Sequence, residues 1–77
     1  MELLQAYELI RKSKDIAEVI SIIRYLKNTY TDAEIKLLPL DPKDPLNNMY
    51  KLTVKLGKDG WYLPIGPVAY DTLKEVI

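Results

Sequence analysis

The sequence predicts an α+β fold with the order α-α-β-β-β-α: a three-stranded antiparallel meander, strands in the order 1-2-3, with the helices packed on one face. Three observations carry this reading. Two apolar stripes at helical spacing fill the first 28 residues, period-two alternation begins at Ala33, and a proline-led helical segment follows Gly66.

Residues 2 to 12, ELLQAYELIRK, place Leu3, Tyr7 and Ile10 on one stripe flanked by Leu4 and Ala6, with Glu2, Gln5, Glu8 and Arg11 opposite. Continuing that stripe would bury Lys14, Ser21 and Arg24. The next segment instead presents Ile16, Val19, Ile20, Ile23 and Leu26. A phase change of this kind requires a break or a kink, and Ser13-Lys14-Asp15 supplies it. Asp15 is positioned as an N-cap, with Glu18 three residues on in capping-box spacing. The second helix then runs to about Asn28, and one kinked helix over residues 2 to 28 is the alternative.

From Ala33, Ile35 and Leu37 alternate with Glu34 and Lys36 until Pro39. A loop follows, Asp41 to Asn48. In the second strand Tyr50, Leu52, Val54 and Leu56 alternate with Lys51, Thr53 and Lys55. Gly57-Lys58-Asp59-Gly60 reads as a turn, after which Trp61, Leu63 and Ile65 resume the alternation. Pairing Leu56 with Trp61, Val54 with Leu63 and Leu52 with Ile65 puts every apolar residue on one face, whereas a slip of one residue would bury Lys55. This register also predicts an indole buried against Leu56. Proline cannot donate to a strand ladder, so the strands containing Pro39 and Pro64 belong at the edges and the proline-free strand at the centre. Pro67 suits a first helical position. The last helix is expected over residues 67 to 77, with Ala69, Leu73, Val76 and Ile77 inward and Asp71 in its first turn.

Seventy-seven residues make one domain, 1 to 77, of a size at which a single core rarely supplies more than about 3 to 5 kcal/mol. With no cysteine and no histidine, the chain has neither a disulfide nor a Cys or His zinc site to supplement that core. The same absences remove cysteine nucleophiles, Ser-His-Asp triads and histidine acid/base chemistry. Ser13 and Ser21 sit in neither a Gly-x-Ser-x-Gly nor a Ser-x-x-Lys setting. No catalytic, cofactor-binding or metal-ligating residues are therefore expected, and no enzymatic activity. The loop carboxylates Asp41 and Asp44 lack the glycine and closing glutamate of an EF-hand loop.

Eleven basic and eleven acidic residues cancel, and they do so within each half: six of each sign lie in residues 1 to 40 and five of each in 41 to 77. A nucleic-acid binder is expected to carry a basic excess, so nucleic acid is not the expected partner. No uninterrupted apolar run approaches the roughly 18 residues of a membrane span, and the start lacks the cationic region of a signal peptide. A cytoplasmic monomer is expected, without membrane association. The charged fraction of 29 %, the scarcity of amide side chains and the many isoleucines lean towards a thermophile composition.

Trp61 and Tyr62 are adjacent, so on a strand they point to opposite faces. Trp61 shares the apolar parity and is assigned to the core. Tyr62 joins Lys36, Lys51, Thr53 and Lys55 on the open face, and these five residues form the candidate interaction face. Tyr25 and Tyr30 mark a second surface on the helical layer. The function expected is a small, non-catalytic protein-interaction or adaptor domain, its protein partner unidentified. The alternative is an RNA- or DNA-binding module in which the lysines track a backbone and Tyr62 stacks a base.

From about residue 16 the order helix, three antiparallel strands, helix resembles that of double-stranded RNA-binding domains. That family starts its last helix with lysines and carries a histidine in the loop between its first strands. Here the last helix begins Gly66-Pro67-Val68-Ala69-Tyr70-Asp71 and no histidine is present, so the resemblance implies a layout and no function.

Overall fold

The computed structural model describes residues 1–44 and 48–77. Pro45, Leu46 and Asn47, part of the expected loop, lie outside the described residues. The described residues form α1 (Leu3–Lys12), α2 (Ile16–Thr29), β1 (Glu34–Pro39), β2 (Tyr50–Leu56), β3 (Asp59–Ile65) and α3 (Pro67–Leu73), with an antiparallel sheet ordered β1-β2-β3. The expected fold class and strand order are those observed.

Residues 2 to 28 are two helices. The break is held by a compact polar knot in which Asp15 caps α2 by accepting from the Ala17 N–H at 3.0 Å. Glu18 does not close the expected capping box on Asp15. Ser13 intervenes: its hydroxyl donates to Glu18 Oε2 at 2.9 Å and accepts from the Asp15 N–H at 3.3 Å. Ser13 thus takes the reciprocal role that a capping box gives to the N3 carboxylate.

The core follows the two stripes. Ala6 and Ile10 of α1, Val19, Ile23 and Leu26 of α2, Leu52 and Val54 of β2, and Leu73 of α3 are buried. Leu4, expected to flank the α1 stripe, is exposed, and the flank is Ala6 alone. Ile35, Leu37, Trp61, Leu63 and Ile65 pack half-buried against this centre, so one parity of all three strands faces the helices. Because the central strand supplies the two fully covered sheet residues, the core is deepest along β2 and thins toward both edges.

The register of the hairpin differs from expectation by two residues. Trp61 lies opposite Val54, Leu63 opposite Leu52 and Ile65 opposite Tyr50, while Leu56 faces Asp59. A shift of two preserves apolar parity, so hydrophobicity alone does not separate the two registers. The turn does. Gly57, at φ +62°, is the first of only two linking residues, the position that a type II′ hairpin turn gives to glycine and that matches the twist of the flanking strands. Gly60 consequently belongs to β3 and faces Lys55. A Cβ there would lie 2.8 Å from the Val54 carbonyl oxygen, so the close approach needs a residue without a side chain.

Trp61 accordingly does not bury itself against Leu56. Its indole is half-buried and crosses to α1, where Nε1–H donates to the Leu3 carbonyl at 2.9 Å and the ring meets Tyr7 at a centroid distance of 5.2 Å, tilted by 59°. The start of α1 is tied to β3 through this one side chain.

The last helix is shorter than expected. It ends at Leu73, and the following residues tighten into turns with Glu75 N–H to Thr72 O at 3.4 Å and Val76 N–H to Leu73 O at 3.0 Å, as helix ends often do. Ile77 still reaches the core cluster. With Pro67 as the first helical residue, Asp71 falls beyond the first turn and pairs with Lys74 at 3.3 Å instead of meeting the helix dipole.

Candidate interaction face

The parity that sends Ile35, Leu52 and Leu63 toward the helices sends the intervening side chains to the other side of the sheet. Pairing arranges them as three cross-strand rows: Glu34, Lys55 and Gly60; Lys36, Thr53 and Tyr62; Leu38, Lys51 and Pro64. All five sequence-predicted residues stand on this grid, and Thr53 is at its centre. Its hydroxyl donates to the Lys36 carbonyl at 3.2 Å, adding a side-chain tie between β1 and β2.

Lys51 and Tyr62 are diagonal neighbours, and the Lys51 ammonium lies 5.8 Å from the Tyr62 ring centroid, within cation–π range. Tyr62 is 59 % exposed, so this contact holds the ring in place while leaving it accessible. Lys36 is 3.9 Å from Glu34, both side chains more than 60 % exposed, a separation at which an ion pair contributes little.

Gly60 gives the face its relief. Where Lys55 looks across to β3 there is no opposing side chain, and a depression of about 390 Å³ opens over β2 and β3. Its margin carries Lys51, Lys55, Lys58 and Tyr62, with Asp59 at the turn. Three lysines, Trp61 and Tyr62 thus line a hollow that contains a single carboxylate. The chain is neutral as a whole, yet this margin is cationic. Electrostatic focusing by such a patch depends on local arrangement and not on net charge.

Sequence reasoning missed Glu34, Lys58, Gly60, Leu38 and Pro64 as members of this surface. The sequence reads Lys58 and Gly60 as turn, and their place here follows only from the two-residue hairpin. Leu38, 40 % exposed, and Pro64 make both ends of the far row apolar, with Lys51 between them.

The second candidate surface is organised differently. Tyr30 donates its hydroxyl to the Met1 carbonyl at 2.7 Å, and the Tyr25 hydroxyl accepts from the Met1 nitrogen at 3.0 Å. Both phenols are engaged within the chain, fastening the segment before α1 to α2. In the loop, Asp41 Oδ1 accepts from the Lys43 N–H at 3.0 Å and its carbonyl from the Asp44 N–H at 3.2 Å, a local turn. Among the described residues, no three His, Cys, Asp or Glu side chains gather as a metal site, and no helix is long and apolar enough to cross a membrane. Compared with protein-family models, with curated proteins and with solved structures, the chain matches none.

Proposed function

We propose that the protein is a small, non-catalytic interaction domain that acts as a cytoplasmic monomer and presents its open sheet face to an acidic segment of a protein partner. The observation that carries this reading is the hollow beside Tyr62. It combines a rigid backbone floor, an accessible aromatic ring and the ammonium groups of Lys51, Lys55 and Lys58. A carboxylate in that hollow meets cations from two sides, while an adjacent apolar side chain covers Tyr62 or the Leu38 and Pro64 row. Tyrosine suits such a contact because its ring buries as a hydrophobe while its hydroxyl stays wet. Edge addition by a partner strand is disfavoured because Pro39 and Pro64 sit on the two outer strands.

The test is capture of partners from a lysate of the source cells by the tagged protein, with and without nuclease, followed by amide chemical-shift mapping with the recovered partner. Nuclease-resistant capture with perturbations centred on Lys51, Lys55 and Tyr62 supports the proposal. Nuclease-sensitive capture, with RNA binding that weakens steeply with salt and again on Lys51→Glu, would replace it with the nucleic-acid reading. Perturbations confined to residues 1 to 32 would move the interface to the helices.

A further inference from the structure

Tyr50 and Tyr70 stack face to face. Their ring centroids are 3.8 Å apart and their planes 13° from parallel, closer than the roughly 4.5 to 7 Å usual for aromatic pairs. Both rings are firmly carried. Tyr50 opens the central strand, paired with Pro39 on one side and Ile65 on the other, while Tyr70 belongs to α3 and has the Lys74 ammonium 5.8 Å from its ring centroid. Both residues are half-buried, and neither hydroxyl bonds to another described residue, unlike those of Tyr25 and Tyr30. Phenylalanine would fill the same stack. The hydroxyls thus add nothing to this packing, and what they add is a chemistry that phenylalanine lacks.

That chemistry is one-electron oxidation. The two carbons ortho to each hydroxyl flank it, so at any rotation of one stacked ring over the other an ortho carbon of one lies over, or one ring position from, an ortho carbon of the other. We infer that Tyr50 and Tyr70 are a modification site, at which a one-electron oxidant couples the two rings into an intramolecular dityrosine. Each phenol gives one electron to the oxidant and its O–H proton to water, leaving two phenoxyl radicals. These join through their ortho carbons in one new C–C bond. The hydrogen on each joined carbon then leaves as a proton and an oxygen regains one, which restores both phenols. Two equivalents of oxidant are reduced and two hydrogens are lost from the chain. The bond encloses β3 and ties α3, a helix of seven residues with Leu73 as its buried member, to the central strand. With no cysteine the chain has no disulfide to serve as such a staple. The inference concerns the helix side of the sheet and is independent of the open face.

The experiment is photo-oxidation of the dilute protein by tris(bipyridine)ruthenium(II) with persulfate, followed by isolation of the monomer. The expected product shows dityrosine emission and has lost two hydrogens, and fragmentation of its linked peptides places the bond between Tyr50 and Tyr70. Tyr50→Phe and Tyr70→Phe, which keep the stack, should each abolish the emission of the monomer, whereas Tyr25→Phe should leave it unchanged. Oxidation in urea, where the stack is lost, should scatter coupling over the other tyrosines. The linked monomer should unfold roughly 10 to 20 °C above the Tyr50→Phe protein oxidised alongside, which controls for damage at Met49 and Trp61. The inference is overturned if the oxidised monomer contains no dityrosine, if the bond joins another pair, or if either phenylalanine variant still forms it. A linked monomer that unfolds no later than that control would overturn the staple.

Discussion

The two faces of the sheet are built from the same three strands and differ in what fixes each residue. On the covered face, Leu52 and Val54 are enclosed by α1, α2 and the flanking strands, and their positions are set by packing. On the open face, Thr53 and Tyr62 occupy neighbouring positions of the same ladder, placed by backbone pairing, the Thr53 hydroxyl's bond to the Lys36 carbonyl and one cation–π contact, without enclosure by packing. The covered face therefore determines whether the chain folds. The open face inherits a rigid frame at little energetic cost and is free to vary its chemistry. Mutations that respect this division should separate stability from binding.

The largest effect is expected at the centre of the covered face. Leu52 has no solvent exposure and joins the core cluster that also contains Ile10, Val19, Ile23 and Leu73. Leu52→Ala leaves a cavity among groups fixed by three elements and should cost about 2 to 5 kcal/mol, enough to exhaust the stability of a domain this small. Urea denaturation measures it. A loss below about 1 kcal/mol would show that the core collapses around the gap.

How far the sequence reveals each face follows from the same contrast. Period-two alternation in Tyr50 to Leu56 identifies the covered residues because burial selects by parity, and parity survives any even shift of register. It therefore identifies Lys51, Thr53, Lys55 and Tyr62 as open-face residues without telling which of them are neighbours. That information resides in the hairpin turn. Gly57 at positive φ shortens the link to two residues, placing Gly60 opposite Lys55 and opening the hollow. Gly57-Lys58-Asp59-Gly60 contains the signal, but two glycines allow a tight and a wide turn alike. Trp61 was legible as inward-facing, while its bond to the Leu3 carbonyl depends on how α1 lies across β3, a tertiary fact with no local signature.

The turn that aligns the two faces is next in size. A Cβ at Gly57 meets nothing within 4 Å, so Gly57→Ala adds no clash and tests backbone conformation alone. Holding a non-glycine residue at positive φ should cost about 1 to 2 kcal/mol. The cost is read from the urea midpoint, and the cross-strand amide contacts between Val54 and Trp61 should persist. If those contacts moved to Leu56 and Trp61, the wider register would be accessible and the hollow would depend on this glycine.

On the open face the expectation reverses. Lys51→Ala removes an exposed ammonium and its contact with Tyr62, and should change stability by no more than about 0.5 kcal/mol. An acidic partner should nevertheless bind more weakly, with a shallower dependence on salt, as measured by calorimetry at two ionic strengths. Equal losses in stability and binding would mean that the open face is structural after all.

The smallest effect lies on neither face and calibrates both. Glu8, on the outer side of α1, accepts from Arg11 at 2.9 Å and lies 3.9 Å from Lys12. The hydrogen bond from Arg11 is the main cause holding its carboxyl below the ordinary glutamate value, with the nearby positive charges acting in the same direction. A carboxyl whose folded value is depressed stabilises the fold above its unfolded value, about 4.3, and loses that contribution as pH falls through the folded value. Protonated glutamate resembles glutamine in charge and shape. The urea midpoints of the parent and Glu8→Gln should therefore differ slightly near neutral pH, the parent being the more stable, and converge as the carboxyl titrates. A difference that persisted unchanged in acid would assign the effect to helix propensity instead of the ion pair. Because Glu8 is solvent-exposed, added salt should shrink the neutral-pH difference as well, whereas the loss in Leu52→Ala should not follow that screening.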